Sequence, residues 1–125
     1  MSGQTKSYCF DTNILIGLFS GKINYRDIEA EEIFLSIISE LEYLAYEKIT
    51  INEIELYNKF KSVIKIVYMD EHSAELENTI IEVRKKYKLK LPYAIVAATA
   101  ITNNATLITN DKEFKKVIGL KIKSI

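Results

Sequence analysis

The chain has 125 residues, 48% of them hydrophobic and 27% charged, which predicts one soluble domain, residues 1–125, with a normal buried core. Lys plus Arg and Asp plus Glu number 17 each, so the formal net charge is zero and bulk charge cannot coat a nucleic acid; any RNA must be held by local patches. No apolar run approaches the roughly 20 residues of a membrane span, residues 1–6 are polar and lack the apolar stretch of a secretory leader, and the single cysteine, Cys9, excludes an internal disulfide, so the expectation is a cytoplasmic protein away from the membrane.

In chain order, residues 7–10 read as a short strand, with Cys9 as a buried, inert thiol. Residues 13–19 read as a helix that ends near Ser20-Gly21-Lys22, and residues 25–31 are polar and ambiguous. The near-continuous apolar run 33–38 predicts a strand buried on both faces. Ser39 and Glu42 fit a capping box that would open the next helix, with Glu42 at its third position. Thr50 and Glu53 form a second such box, opening a helix to about residue 63, and residues 66–69 are a strand ended by Asp70.

Leu76, Ile80, Val83 and Tyr87 recur at helical spacing and make one stripe over residues 74–88. Pro92 is placed as the first residue of a further helix, where Ala94, Ala97, Ala98 and Ile101 form a narrow small-residue face. Asn103-Asn104 ends that helix, 106–109 is a strand, 111–117 a short helix with Asn110 and Glu113 as its capping box, and 120–123 a last strand. Strands alternating with helices predict an α/β fold with a central, mainly parallel sheet covered on both faces.

Three acids fall in local contexts that would deliver them to one edge of such a sheet. Asp11 follows the first strand, Glu42 follows the 33–38 run, and Asp111 follows the 106–109 strand. The C-terminal edge is where open α/β sheets bind ligands. Each acid has a plain alternative as a helix cap or first-turn residue; the combination is what points to chemistry. Clustered carboxylates repel one another and call for a cation, and oxygen donors suit Mg²⁺ or Mn²⁺ over zinc. A hard divalent ion there can activate water and stabilise a phosphoryl transition state. Phosphate-cradling glycine loops and a serine–histidine arrangement are absent, and His72 stands alone. Two basic patches stand out: residues 84–90, and Lys112, Lys115, Lys116, Lys121 and Lys123; a helix end whose cations complement the dipole explains the first equally well.

Four blocks, in order, carry a resemblance to a known family: Phe10-Asp11-Thr12-Asn13-Ile14-Leu15-Ile16; Ser36-Ile37-Ile38-Ser39-Glu40-Leu41-Glu42-Tyr43-Leu44; Lys88-Leu89-Lys90-Leu91-Pro92-Tyr93-Ala94-Ile95-Val96-Ala97-Ala98-Thr99-Ala100; and Leu107-Ile108-Thr109-Asn110-Asp111-Lys112-Glu113-Phe114. The chain resembles the PIN domain, and in particular the toxins of VapBC-type toxin–antitoxin systems, over nearly its whole length. The resemblance implies a three-layer α/β/α sandwich, Mg²⁺- or Mn²⁺-dependent endoribonuclease activity on RNA, a cognate VapB-type antitoxin and a homodimer. Carried over, Asp11, Glu42 and Asp111 look like metal-site acids, with Glu40 the alternative to Glu42, and Thr12, Asn13 and Thr109 like supporting polar residues. Tyr93 stands where the family's remaining acid is expected. A neutral phenol, with a pKa near 10, is no substitute for a carboxylate on a hard cation. Either three acids suffice for slow hydrolysis, or the chain is a PIN domain that binds an antitoxin or RNA without cutting. A phosphoacceptor receiver-like domain is a third alternative, though no adjacent acid pair follows the first strand.

Overall fold

A computed structural model describes residues 6–125, the side chain of Asp27 excepted. The polar start of the chain, residues 1–5, lies outside the described residues. Five parallel strands form the centre: β1 (Ser7–Phe10), β2 (Glu32–Ser36), β3 (Lys65–Val67), β4 (Thr106–Ile108) and β5 (Ile122–Lys123), in the order β3-β2-β1-β4-β5. Five α-helices connect them: α1 (Thr12–Phe19), α2 (Ile37–Leu44), α3 (Ile51–Phe60), α4 (Ala74–Tyr87) and α5 (Leu91–Thr102). The order differs from the 2-1-3-4-5 of receiver-like folds, which sets aside the phosphoacceptor alternative on topology.

The chain walks outward from β1 through β2 to β3, then returns past β1 to β4 and β5. Right-handed crossovers taken in opposite directions place their helices on opposite faces of the sheet. The strand side chains divide accordingly. Phe10, Ile33, Leu35 and Ile108 pack with Ile14 and Leu15 of α1, Tyr43 of α2 and Tyr57 of α3. Cys9 and Leu107 face the other way, into a core built from Leu76, Ile80 and Val83 of α4 and the alanine-rich α5. This is the three-layer arrangement expected. Phe19 adds an aromatic cluster to the first core, its ring centroid 5.8 Å from Tyr43, 5.9 Å from Tyr57 and 5.4 Å from Phe60.

Several local expectations need correction. The strand in 33–38 stops at Ser36, whose hydroxyl caps α2 by accepting from the Ile38 amide. Ser39 is therefore not the cap; it is a fully buried residue within α2, and Glu42 lies in the second turn. Asp111, not Asn110, caps the short 3₁₀ helix Lys112–Lys116. Pro92 is the second residue of α5 rather than the first. All of residues 94–100 in α5 are buried while Ile101 is exposed, so the helix has no narrow face: it is enclosed between α4 and the sheet. The strand expected at 66–69 runs Lys65–Val67, and the one expected at 120–123 is Ile122–Lys123. At Thr50 half of the expected box forms: the Glu53 amide donates to Thr50 Oγ1 at 3.1 Å, but Glu53 Oε1 accepts from the Thr50 hydroxyl, at 3.0 Å, rather than from the Thr50 amide.

Among the described residues, no helix is long and apolar enough to cross a membrane. Cys9 is fully buried, and burial first, then the charge of Asp11, pushes its thiol up to about 12, so it stays protonated and inert.

Candidate functional site

The sheet order explains why acids far apart in sequence meet. β1 and β4 are neighbours although the chain reverses its direction of travel between them, so the crevice beyond their C-terminal ends is the topological switch point. The Asp11 amide donates to the Ile108 carbonyl at 3.3 Å, which joins the two strand ends. A cavity of about 430 Å³ opens there, lined by Asp11, Thr12, Asn13, Glu42, Tyr93 and Asp111, and also by Ile16, Tyr46, Lys90, Pro92, Val96 and Phe114.

Asp11 is the most enclosed of the three acids, 5% exposed. Its Oδ1 caps α1 by accepting from the Ile14 amide at 2.9 Å, and its Oδ2 accepts from the Thr109 hydroxyl. The cap explains the helix start, and the same carboxylate still faces the cavity. Burial pushes its pKa above the usual carboxylate range against the hydrogen bonds from Thr109 and Ile14, and Asp111 pushes it further the same way. The two carboxylates therefore feel each other's charge. Thr109 also accepts from the Asp111 amide at 3.0 Å, so one buried hydroxyl ties Asp11 to the backbone of Asp111.

Glu42 is exposed on α2 and held toward the cavity by Thr12, whose hydroxyl donates to Glu42 Oε1 at 2.6 Å. Asn13 is exposed at the cavity mouth. Asp111 is half-buried; its Oδ1 accepts from the Glu113 amide at 3.0 Å and its Oδ2 from the Tyr93 hydroxyl at 2.9 Å. That bond, with burial second, raises the Tyr93 pKa, so the phenol stays protonated and donates. Tyr93 occupies the first turn of α5 with its ring 5.2 Å from that of Phe114, edge to face.

Glu40 is turned away. It is 6% exposed, and its Oε1 accepts from the Tyr57 hydroxyl at 2.9 Å and lies 2.9 Å from Lys61 Nζ. It binds α2 to α3 within the first core and does not line the cavity. Glu40→Ala is expected to lower stability by about 2 kcal/mol, because it leaves a buried hydroxyl without its acceptor. Urea unfolding checks this, with activity per folded molecule unchanged; a loss of activity without a loss of stability contradicts the structural role.

The donor set suits a hard cation. Its polar lining is rich in carboxylate, hydroxyl and amide oxygens without His or Cys, and among the described residues no Lys, Arg or His nitrogen lies within 4.0 Å of Asp11, Glu42 or Asp111. A buried carboxylate beside a second one with no basic partner is where a cation gains most. Among the described residues, no three His, Cys, Asp or Glu side chains stand close enough to form a ready metal group. Mg²⁺ needs less, since it is commonly held by one or two carboxylates with several retained waters. Two polar lining residues, Tyr46 and Lys90, escaped the sequence reading as site residues. Tyr46 carried no signal, and Lys90 was visible as one end of the basic patch 84–90 and within the third block of the resemblance, without a role.

Residues 8–120 match the family described as PIN domain. No curated protein matches the chain in sequence. Among solved structures, the fold is similar to a toxin–antitoxin complex from Klebsiella pneumoniae, with a TM-score of 0.75 and 30% identity over 90% of this chain and 94% of that one. It is similar to VapBC2 from Rickettsia felis, bound to a DNA fragment from their promoter, with a TM-score of 0.78 and 25% identity over 95% and 98% of the two chains. VapBC-1 from nontypeable Haemophilus influenzae shares the fold, with a TM-score of 0.73 and 20% identity over 94% and 97%.

Proposed function

The chain belongs to the PIN domain family, and from that premise we propose that it is a VapC-type toxin, an endoribonuclease that hydrolyses RNA phosphodiesters with Mg²⁺ or Mn²⁺ and is weakened by Tyr93. The observation that carries the reading is the convergence of Asp11, Glu42 and Asp111 on one cavity at the switch point. In this reading those three acids would hold the cation, which would supply an activated water and offset charge on the phosphoryl oxygens. Thr109 and the Ile14 amide fix the Asp11 carboxylate, and Thr12 fixes that of Glu42. The Glu113 amide holds one oxygen of Asp111, while the Tyr93 hydroxyl occupies the other. The phenol takes an oxygen the cation would use and brings no charge in return.

The neighbouring structure from Klebsiella is a toxin–antitoxin complex by its name, and that from Rickettsia is VapBC2 by its name. They support a VapB-type antitoxin as partner. A homodimer acting on RNA in the cytoplasm completes the proposal. The test is cleavage of a mixed RNA substrate in Mn²⁺ against chelator. Slow cleavage that stops in chelator and returns with Mn²⁺ is expected; cleavage that persists in chelator overturns the metal mechanism.

A binding-only PIN domain is the second reading, favoured by the bond from Tyr93 to Asp111 and by the lack, among the described residues, of a ready three-acid group. It predicts antitoxin or RNA binding with no cleavage at any Mn²⁺ concentration.

A further inference from the structure

Outside the acid cavity, the most unusual surface is the turn that joins α4 to α5. Residues 84–90 carry Arg84, Lys85, Lys86, Lys88 and Lys90, all exposed, interrupted only by Tyr87 and Leu89. Among the described residues none of the five cations has an acid within 4.0 Å. The α4 dipole explains Arg84, Lys85 and Lys86, which lie in its last turn. It does not explain the other two.

Lys88 ends α4 in the left-handed conformation, φ 55, a place where glycine is the cheaper residue. Lys90 is the residue before the first turn of α5, with no side-chain cap, where a cation meets the positive end of the helix dipole. Two lysines thus occupy positions that their local backbone disfavours, and the side-chain charge is what distinguishes them from better local choices.

The placement of the strip gives that charge a use. Lys90 lines the acid cavity itself. Arg84, Lys85 and Lys88, with Ile81 and Leu89, line a second groove of about 490 Å³, one residue along the chain from Lys90. Arg84 Nε donates to the Leu89 carbonyl at 3.3 Å and so ties the last turn of α4 to the turn before α5. Lys86 lies over the Tyr87 ring, 5.5 Å from its centroid. A cavity lined by three carboxylates repels a phosphate chain, so a polyanion can approach only along cations that offset this. In the second lysine patch one cation is already paired, Lys116 with Glu113 at 3.0 Å.

We infer that the strip from Arg84 to Lys90 is a rail for the backbone of single-stranded RNA, leading from the α4 end into the acid cavity. The inference rests on the ribonuclease reading and adds to it where the strand enters. On single strands, each phosphate contact contributes about 0.7 to the slope of log K against log salt.

The test measures binding of a mixed-sequence single-stranded RNA oligonucleotide by the Asp11→Asn protein, which removes cutting, across a KCl series in chelator. Lys85→Gln with Lys88→Gly is expected to lower the slope by about 1.4. Lys22→Gln with Lys59→Gln, which removes equal charge from α3 and from the loop after α1 on the opposite face of the sheet, leaves it unchanged. Lys88→Gly is expected to melt no lower than its parent, so the weakening cannot be unfolding. Equal slopes for both pairs overturn the rail while leaving the nuclease reading intact, since that is judged by Mn²⁺-dependent cleavage. A protein that ignores RNA but binds polyglutamate through the same two lysines also overturns it, and makes the strip a docking surface for an acidic protein segment.

Discussion

Tyr93→Asp is expected to raise Mn²⁺-dependent RNA cleavage by roughly 10–100-fold, the range over which single changes around a metal alter affinity or activity. The reason is local. In the parent, Tyr93 donates to Asp111 Oδ2 at 2.9 Å and its ring packs against Phe114, so the phenol both occupies a carboxylate oxygen and fills space beside it. An aspartate at this position of α5 frees that oxygen and adds a charged donor where the helix dipole favours one. Tyr93→Phe separates the two effects. It frees Asp111 without supplying a ligand, so its rate should lie near that of the parent and far below that of Tyr93→Asp. Equal gains in both variants would mean that the hydrogen bond, and not the missing acid, limits the enzyme.

Asp11→Asn carries the second large effect. It removes the charge of the most enclosed acid while keeping its shape and its capacity to cap α1. Mn²⁺-dependent cleavage should fall by about 10²-fold or more in the parent and in Tyr93→Asp alike. Stability should move the other way. Burial raises the Asp11 pKa above its ordinary value of 3.8, so without metal the folded state holds the proton more tightly than the unfolded chain does. Such a group costs stability above its folded pKa, and the cost disappears as pH falls below its unfolded one. In chelator, Asp11→Asn should therefore melt higher than the parent at neutral pH, with the difference closing as pH drops toward about 4. Thermal melts across pH check this. A variant that melts lower at neutral pH and gains at acid pH reverses the sign and contradicts the assignment of Asp11 as an uncompensated buried acid.

Asp11 and Asp111 were legible because parallel strands deliver the residues that follow them to one edge, and both acids follow apolar runs by a residue or a few. The sheet order was not legible. It depends on which neighbour each strand selects across helices whose packing is not local, and it decides that β1 and β4 lie side by side. Glu42 was legible from its place after the 33–38 run, although the capping box that was its plain alternative does not form. Ser36 precedes Ile37 and Ile38 and takes the cap, whereas Ser39 follows them and is buried inside α2. Moving the helix start by three residues is close to one turn, so Glu42 keeps the face it would have had and still lines the cavity. Glu40, two residues away, lies on another face and serves the core. Tyr46 and Lys90 reach the cavity from the residues just past α2 and just before α5, where no periodic pattern marks a direction.

A Mn²⁺ titration of the parent, Tyr93→Asp and Asp11→Asn proteins tests the central claim most directly, because it needs no knowledge of the RNA target. The account predicts one weak site in the parent, a site at least about tenfold tighter in Tyr93→Asp, and none in Asp11→Asn. Equal Mn²⁺ affinity in all three would contradict it, because the acids at the switch point would then not be the ones that hold the ion.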